Sequence, residues 1–343
     1  MTRQATFCLV VSLAINVATA AVRSGPTVAD CIQMPWIVDN EVRLSPDTSK
    51  VAYLTRQAML SSNQNVYRLF VRDLRGGHSV ENGRPVFQGE ALSDLQWVDR
   101  DTVSILSHNV RGSRIDLIDV RSGKRRLAVS RRDEITSYAI DRSAQIIAFA
   151  VTLPSHTQEN SEVSSLVPFG IPYNARIRVI IAPKFRLYVA RMGHDGKRRI
   201  TPLPFPRAYD GVLAGLAYLT VSPDGQFLTF ACFAGELPGG WKNDPLVSWR
   251  EFGGPVRLMY LYDLRTHQAR QAFAAPALSA PVWSDDGNAL AIFSLSPVGS
   301  SWEKEDLASV GEGNLLKWGP LQTLQDEKVR SLFHLFVVDI KTG

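Results

Sequence analysis

Two stretches come within one residue type of a serine nucleophile elbow. Gly77-His78-Ser79-Val80-Glu81 and Gly299-Ser300-Ser301-Trp302-Glu303 each begin as Gly-x-Ser requires and end in Glu. The strained turn that presents such a serine needs small residues on both sides, so neither can carry acyl-transfer chemistry. The six histidines, His78, His108, His156, His194, His267 and His334, stand far apart, with no pair at the spacing of zinc ligands. Those in or beside turns, His78, His194 and His267, read as solvated side chains. No Gly-rich loop ending in Lys-Ser/Thr is present to cradle phosphate. No catalytic residue, metal or cofactor is therefore expected.

What remains is binding chemistry. Trp241, Trp249 and Arg250 fall in a Gly/Pro-rich stretch from 235 to 256, and Trp302 and Glu303 in another near the end of the chain, with Trp318. Tryptophan and arginine in loops can anchor a peptide by large contact area. They can equally pin their own loops to the scaffold. Basic residues gather at Arg121, Lys124, Arg125, Arg126, Arg131 and Arg132 and again at Lys197, Arg198 and Arg199. Without interleaved aromatics they read as solvated hairpin tips that discourage edge pairing, and nucleic acid is not expected as a partner.

These residues are positioned by a recurring phrase. Leu44-Ser45-Pro46-Asp47, Val221-Ser222-Pro223-Asp224-Gly225 and Trp283-Ser284-Asp285-Asp286-Gly287 each run into an apolar strand, with weaker copies at Trp97 to Asp101 and Ile140 to Ser143. Each reads as a β-hairpin whose Asp hydrogen-bonds its own turn and whose Gly takes positive φ. A third strand follows each hairpin, as in Leu117-Ile118-Asp119-Val120 before Ser122-Gly123 and Leu261-Tyr262-Asp263-Leu264 before Thr266. Adding a fourth strand after the turn gives a four-stranded blade, and blades repeating at roughly 40 to 50 residues define a β-propeller.

The turn anchors at 47, 99, 141, 224 and 286 stand 52, 42, 83 and 62 residues apart, which places long excursions at 154 to 184 and 235 to 256. The span 303 to 330 is broken by glycines and Gly319-Pro320 and is expected to be a loop with short helical turns. Trp97 and Trp283 occupy the same place in two repeats and are expected in the core. The fold class is all-β, a propeller of about five four-stranded blades over 41–343, incomplete and unclosed. A β-sandwich explains the repeated phrase less well.

Composition agrees with a large folded body: 343 residues, 45% apolar and 21% charged, with a net charge of +5 that is too small to imply a nucleic-acid partner. Residues 1–20 read as a signal peptide, with Arg3, an apolar run from Phe7 to Ala18, and Ala18-Thr19-Ala20 for the peptidase. The product is then periplasmic or secreted, with 21–40 as a lead-in and no membrane span. In an oxidising compartment Cys31 and Cys232 can pair, although the apolar run around Cys232 also suits a buried free thiol. The final phrase, Phe336 to Gly343, matches a third strand and its turn, so the sequence is expected to be the front portion of a longer protein.

Ser-Pro-Asp-Gly before an apolar strand, followed by a strand ending Asp-x-x-Thr/Ser-Gly, resembles the propellers of prolyl oligopeptidase-type serine peptidases and of TolB-like periplasmic proteins. Asn63 to Leu74 and Leu295 to Leu307 are similar to the lasso-peptide isopeptidases within that peptidase family. The resemblance implies a propeller that screens a peptide substrate for an α/β-hydrolase domain absent from this sequence, so that the chain is not catalytic by itself. The alternative it leaves is a stand-alone TolB-like propeller that binds protein partners.

Overall fold

The computed structural model describes residues 27–74, 84–153, 184–204, 213–233, 241, 256–310 and 333–341. Among them, twenty strands and two helices form five antiparallel sheets in chain order. The first sheet is β1 (Trp36–Leu44), β2 (Lys50–Met59), β3 (Gln64–Asp73) and β4 (Phe87–Gly89). The second is β5 (Leu92–Trp97), β6 (Thr102–Asn109), β7 (Gly112–Asp119) and β8 (Arg125–Arg131). The third is β9 (Ile135–Ile140), β10 (Ile146–Thr152), β11 (Lys184–Met192) and β12 (Arg198–Pro202), with β13 (Leu213–Ala214) also paired to β11. The fourth is β14 (Ala217–Val221), β15 (Phe227–Phe233), β16 (Arg257–Asp263) and β17 (Gln268–Gln271). The fifth contains β18 (Val282–Trp283), β19 (Ala289–Ser294) and β20 (His334–Asp339). Helices α1 (Val28–Gln33) and α2 (Ser301–Val310) complete the elements.

The repeated phrase folds as its chemistry dictates. In three turns a serine hydroxyl donates to the carboxylate two residues on, Ser45 to Asp47 at 2.7 Å and Ser222 to Asp224 and Ser284 to Asp286 at 2.6 Å. The same hydroxyl accepts the N–H five residues on, at 2.9 Å from Lys50, Phe227 and Ala289. The hydroxyl donors hold Asp47 and Asp286 well below the usual carboxylate range. In the third sheet the two residue types exchange places: Asp141 accepts from Ile146 N at 2.8 Å, and Ser143 donates to Asp141. The residue three after the first anchor is left-handed in all four turns, at φ 54 for Thr48 and Ala144, 70 for Gly225 and 71 for Gly287. Glycine fills that place without strain in two of them.

Alternation along the strands makes each sheet two-faced, and both faces of the middle sheets are apolar. In β10, Phe149 and Val151 pack toward Leu106, Ile115 and Val129 of the second sheet, whereas Ala148 and Ala150 pack toward Leu228, Phe230 and Cys232 of the fourth. Leu54 and Leu69 likewise meet Leu95, Val103 and Ile105, and Met259 and Leu261 meet Leu290, Ile292 and Val338. The innermost strands β1, β5, β9 and β14 touch in succession. Sheets stacked face to face in chain order around their first strands are the blades of a β-propeller, and a two-sheet sandwich is excluded. Among the described residues no core cluster joins the fifth blade to the first. Trp36, Ile37 and Leu44 on β1 and Leu335 and Val337 on β20 remain exposed.

Polar ties cross the seams. Trp97 Nε1 donates to the Arg43 carbonyl in β1, and Trp283 Nε1 donates to Thr220 Oγ1 in β14, both at 3.0 Å. The two repeat positions therefore share a seam role, half-buried rather than deep in the core. Buried Glu41 on β1 accepts from Asp94 N at 2.6 Å and Leu95 N at 2.8 Å. Its targets lie at a bulge of β5, where the register shifts between Ser93 and Gln96 and Asp94 sits at φ 52.

Several expectations are adjusted. The first strand begins at Trp36, ahead of position 41, because Trp36 pairs with Arg56. A ten-residue helix, Ser301–Val310, occupies the start of the span 303 to 330. The signal segment, the excursion at 154 to 184 up to residue 183, and all of 235 to 255 except Trp241 lie outside the described residues. No helix among the described residues is long and apolar enough to cross a membrane. Cys31 and Cys232 are both free thiols, one exposed on α1 against the first blade and the other buried in β15 of the fourth, so the cross-link is not formed. Burial pushes the Cys232 thiol up to about 12. Native alkylation followed by peptide mapping is expected to modify Cys31 and spare Cys232; equal labelling would contradict that burial.

Candidate functional site

Among the described residues, a cleft of about 850 Å³ opens between the end of β17, helix α2 and strand β20. Its aromatic lining comes from three elements. Phe273 follows β17, Trp302 lies in the first turn of α2, and Phe336 is central in β20. The Phe336 ring lies 4.9 Å from Phe273 and 5.6 Å from Trp302, stacked on the latter. Trp302 is 56% exposed, so its other face is open to solvent.

Local chemistry fixes the helix. Glu303 N donates to Ser300 Oγ at 3.1 Å, and the buried Glu303 carboxylate accepts from Gly299 N at 2.6 Å. Serine before the helix and glutamate three residues on satisfy backbone donors that the first turn leaves open. Gly299-Ser300-Ser301-Trp302-Glu303 is thus a helix start. The loop before it is held to the fourth blade by Val298 N donating to the Ala274 carbonyl at 2.8 Å.

One turn along α2, Asp306 accepts from Ser296 Oγ at 2.6 Å and lies 3.0 Å from His334 Nε2. All three residues line the cleft. A serine, a carboxylate and an imidazole are present, but the carboxylate stands between the other two. This is not the order of a nucleophile activated by its imidazole, in which the histidine stands between the serine and the carboxylate. Elsewhere His108 Nδ1 meets Ser113 Oγ at 3.1 Å, but Ser113 is buried and accepts from Ile135 N at 2.9 Å. Burial lowers the His108 pKa, and this pair ties the second blade to the third.

The candidate residues therefore separate. Trp302 lines the cleft. Glu303, beside it in sequence, is buried and turned inward to cap α2. Trp241 is 5% exposed and packs on Val256 and Leu258, so its indole is part of a buried cluster beside β16. Trp249 and Arg250 lie outside the described residues. Of the basic residues, Arg121 pairs with Asp101 at 2.8 Å at the turn after β7, whereas Arg125 pairs at 3.1 Å with the buried Asp116 and Arg131 with Asp133 at 2.7 Å at the opposite end of β8, so the cluster is ion-paired and not a solvated tip throughout. His194 and His267 are exposed, the latter with Nδ1 at 3.2 Å from the Tyr262 hydroxyl, and His78 lies outside the described residues. Phe273, Ser296, Asp306 and His334 were not singled out from sequence. The signal for Asp306 was its place one helical turn after Trp302.

No family model and no curated protein matches the sequence. Among solved structures, the acylaminoacyl peptidase of Pyrococcus horikoshii is 13% identical, with a TM-score of 0.47, over 77% of this chain and 36% of that one. TolB from Acinetobacter baumannii is 11% identical, with a TM-score of 0.43, over 88% of this chain and 66% of its own. The β-propeller domain of the Trilobed protease from Pyrococcus furiosus is 11% identical, with a TM-score of 0.44, over 78% and 65%. The chain spans about a third of the length of the acylaminoacyl peptidase. These are likenesses in the arrangement of strands, and the propeller assignment rests on the sheet order and stacking described above.

Proposed function

We propose that the chain is the substrate-selecting propeller portion of an exported prolyl oligopeptidase-type serine peptidase, of the lasso-peptide isopeptidase kind. It holds a peptide while a hydrolase domain outside this sequence supplies the chemistry. The observation that supports this reading is the cleft, where the half-exposed Trp302 of α2 stacks on the buried Phe336 of β20 with Phe273 beside it. Such a surface suits an apolar side chain anchored without turnover. The second reading, a stand-alone TolB-like propeller that binds protein partners, draws on the exposed apolar faces of the first and fifth blades.

Titration with short blocked apolar peptides, followed by tryptophan fluorescence, is expected to show saturable binding and no hydrolysis of peptide or ester. Trp302→Ala is expected to weaken binding about tenfold, in the range of an aromatic anchor. Turnover abolished by a serine-directed inhibitor would refute the non-catalytic assignment. A reading frame after Gly343 encoding Gly-x-Ser-x-Gly separates the peptidase origin from the stand-alone binder.

A further inference from the structure

Where the first and second blades meet, a hollow of about 330 Å³ opens at the end of the blades that carries the β6–β7 hairpin. Its lining comes from three places. Glu90 belongs to the connection between β4 and β5, Arg111 and Gly112 to the hairpin, and Arg114 and Ser130 to β7 and β8. The backbone around it is tied down. His108 N donates to the Ala91 carbonyl at 3.1 Å, next to Glu90, and Arg111 N donates to Asn109 Oδ1 at 2.8 Å. At Gly112, φ is 123 and a Cβ would stand 2.1 Å from the Arg131 carbonyl oxygen, so only glycine lets the hairpin lie this close to the end of β8.

The charges of this hollow are unspent. Ser113 and Ile115 turn toward the third blade, so alternation sends Arg114 and Asp116 to the side of the first. Arg114 comes no nearer than 3.7 Å to the buried Asp116 carboxylate, whereas Arg125 stands 3.1 Å from the same oxygen, and Arg114 Nε is buried without a partner. Among the described residues the side chains of Glu90, Arg111 and Ser130 form no hydrogen bond or ion pair, and Glu90 meets neither arginine. At the other end of the blades Asp47, Asp101, Asp119 and Asp286 are all engaged, by their own turns or by Lys50. Opposite charges that line one hollow without meeting are complementary to a ligand that carries both. A simple anion would leave Glu90 opposed to it, and a simple cation would leave two guanidinium groups opposed.

We propose that this hollow binds a short zwitterionic peptide of dipeptide size, with its α-ammonium on Glu90 and its α-carboxylate on Arg111 and Arg114. On the other side of Glu90 a second hollow of about 250 Å³ is lined by Gln64, Asn65 and Tyr67, whose side chains have no hydrogen-bond partner among the described residues. It receives a polar first side chain. The site lies between the first two blades, away from the Trp302 cleft, and does not rest on what that cleft binds.

The test is calorimetric titration of the full chain with seryl-alanine, with its N-acetyl form and with its C-terminal amide. The free dipeptide is expected to bind with a Kd of about 1 mM or tighter, and each cap to weaken binding about tenfold by removing one charge-assisted contact. Glu90→Gln and Arg111→Gln then locate the two ends. In Glu90→Gln the penalty for the N-acetyl cap is expected to shrink to about twofold while that for the amide persists. In Arg111→Gln the penalty for the amide is expected to fall to about threefold, since Arg114 remains, while that for the N-acetyl cap persists.

Absence of saturable binding up to about 10 mM dipeptide would overturn the proposal. So would equal affinity for the free and capped forms, which would show that the termini are not what the protein holds. Cap penalties that stay undiminished in both variants would place the dipeptide elsewhere on the chain and overturn the site. Exchange of the two effects, with Glu90→Gln relieving the amide and Arg111→Gln the N-acetyl cap, would overturn the assigned direction.

Discussion

Replacing Glu41 with alanine is expected to destabilise the propeller by about 3 kcal/mol at pH 6, because two charge-assisted hydrogen bonds disappear and leave buried N–H groups behind. The Glu41 carboxylate receives Asp94 N and Leu95 N at 2.6 and 2.8 Å, at the point where the bulge in β5 withdraws both from their ladder. No water reaches a carboxylate buried in this seam as readily as an exposed one. Against a typical stability of about 5–15 kcal/mol the loss is large. Glu41→Gln keeps one acceptor and is expected to lose about half as much. Denaturant midpoints at constant m-value measure both, and an alanine variant within about 0.5 kcal/mol of the parent would show that the clamp contributes little.

The same seam governs the response to pH. Burial pushes the Asp94 carboxyl up to about 7, and the charge of Glu41 adds to the shift while Arg43 opposes it. The Tyr138 hydroxyl faces the pair from β9, its own pKa raised well above the usual value by burial. In the unfolded chain Asp94 ionises near 3.9, so from about pH 4 to 7 the folded protein holds a proton that the unfolded chain has released. Stability therefore falls as pH rises through this window. The full shift corresponds to an upper bound of about 4 kcal/mol, and since Asp94 retains some solvent contact about 2 kcal/mol is expected.

Asp94→Asn keeps a residue type that tolerates φ 52 and removes the ionisation. The variant is expected to match the parent near pH 4 and exceed it by about 2 kcal/mol at pH 8. Asp47, Asp101, Asp119 and Asp286 have depressed values, and their contribution is lost only at lower pH, below their unfolded values. His108, depressed by burial, acts in the opposite direction near neutrality, so the difference between parent and variant is the informative quantity. Parallel curves for the two proteins from pH 5 to 8 would contradict the role given to Asp94.

The blades were legible because their turns are local. Ser222, Asp224 and Gly225 satisfy one another within a few residues, and the exchange of Asp141 and Ser143 preserves the same bonds with the types reversed. The cleft was legible only in part. Trp302 was visible as an exposed aromatic in a loop, but its partners Phe273 and Phe336 come from different blades and meet only when the sheets stack. Ser300 and Glu303 carried a capping signal that the nearby glycines obscured. Trp241 has the same loop composition as Trp302, and its fate depends on Val256 and Leu258 beneath it. Glu41 and Asp94 are joined across two blades, a contact that no window of sequence contains.

Trp97 and Trp283 each pass one hydrogen bond to the blade before their own, at the first seam and the last described one. Each indole thus belongs chemically to one sheet and reports optically on its attachment to another. A solvent-induced change in emission confined to one of them would mark the seam that parts first, and so would tell whether the stack comes open like a fan from an end or scatters all at once.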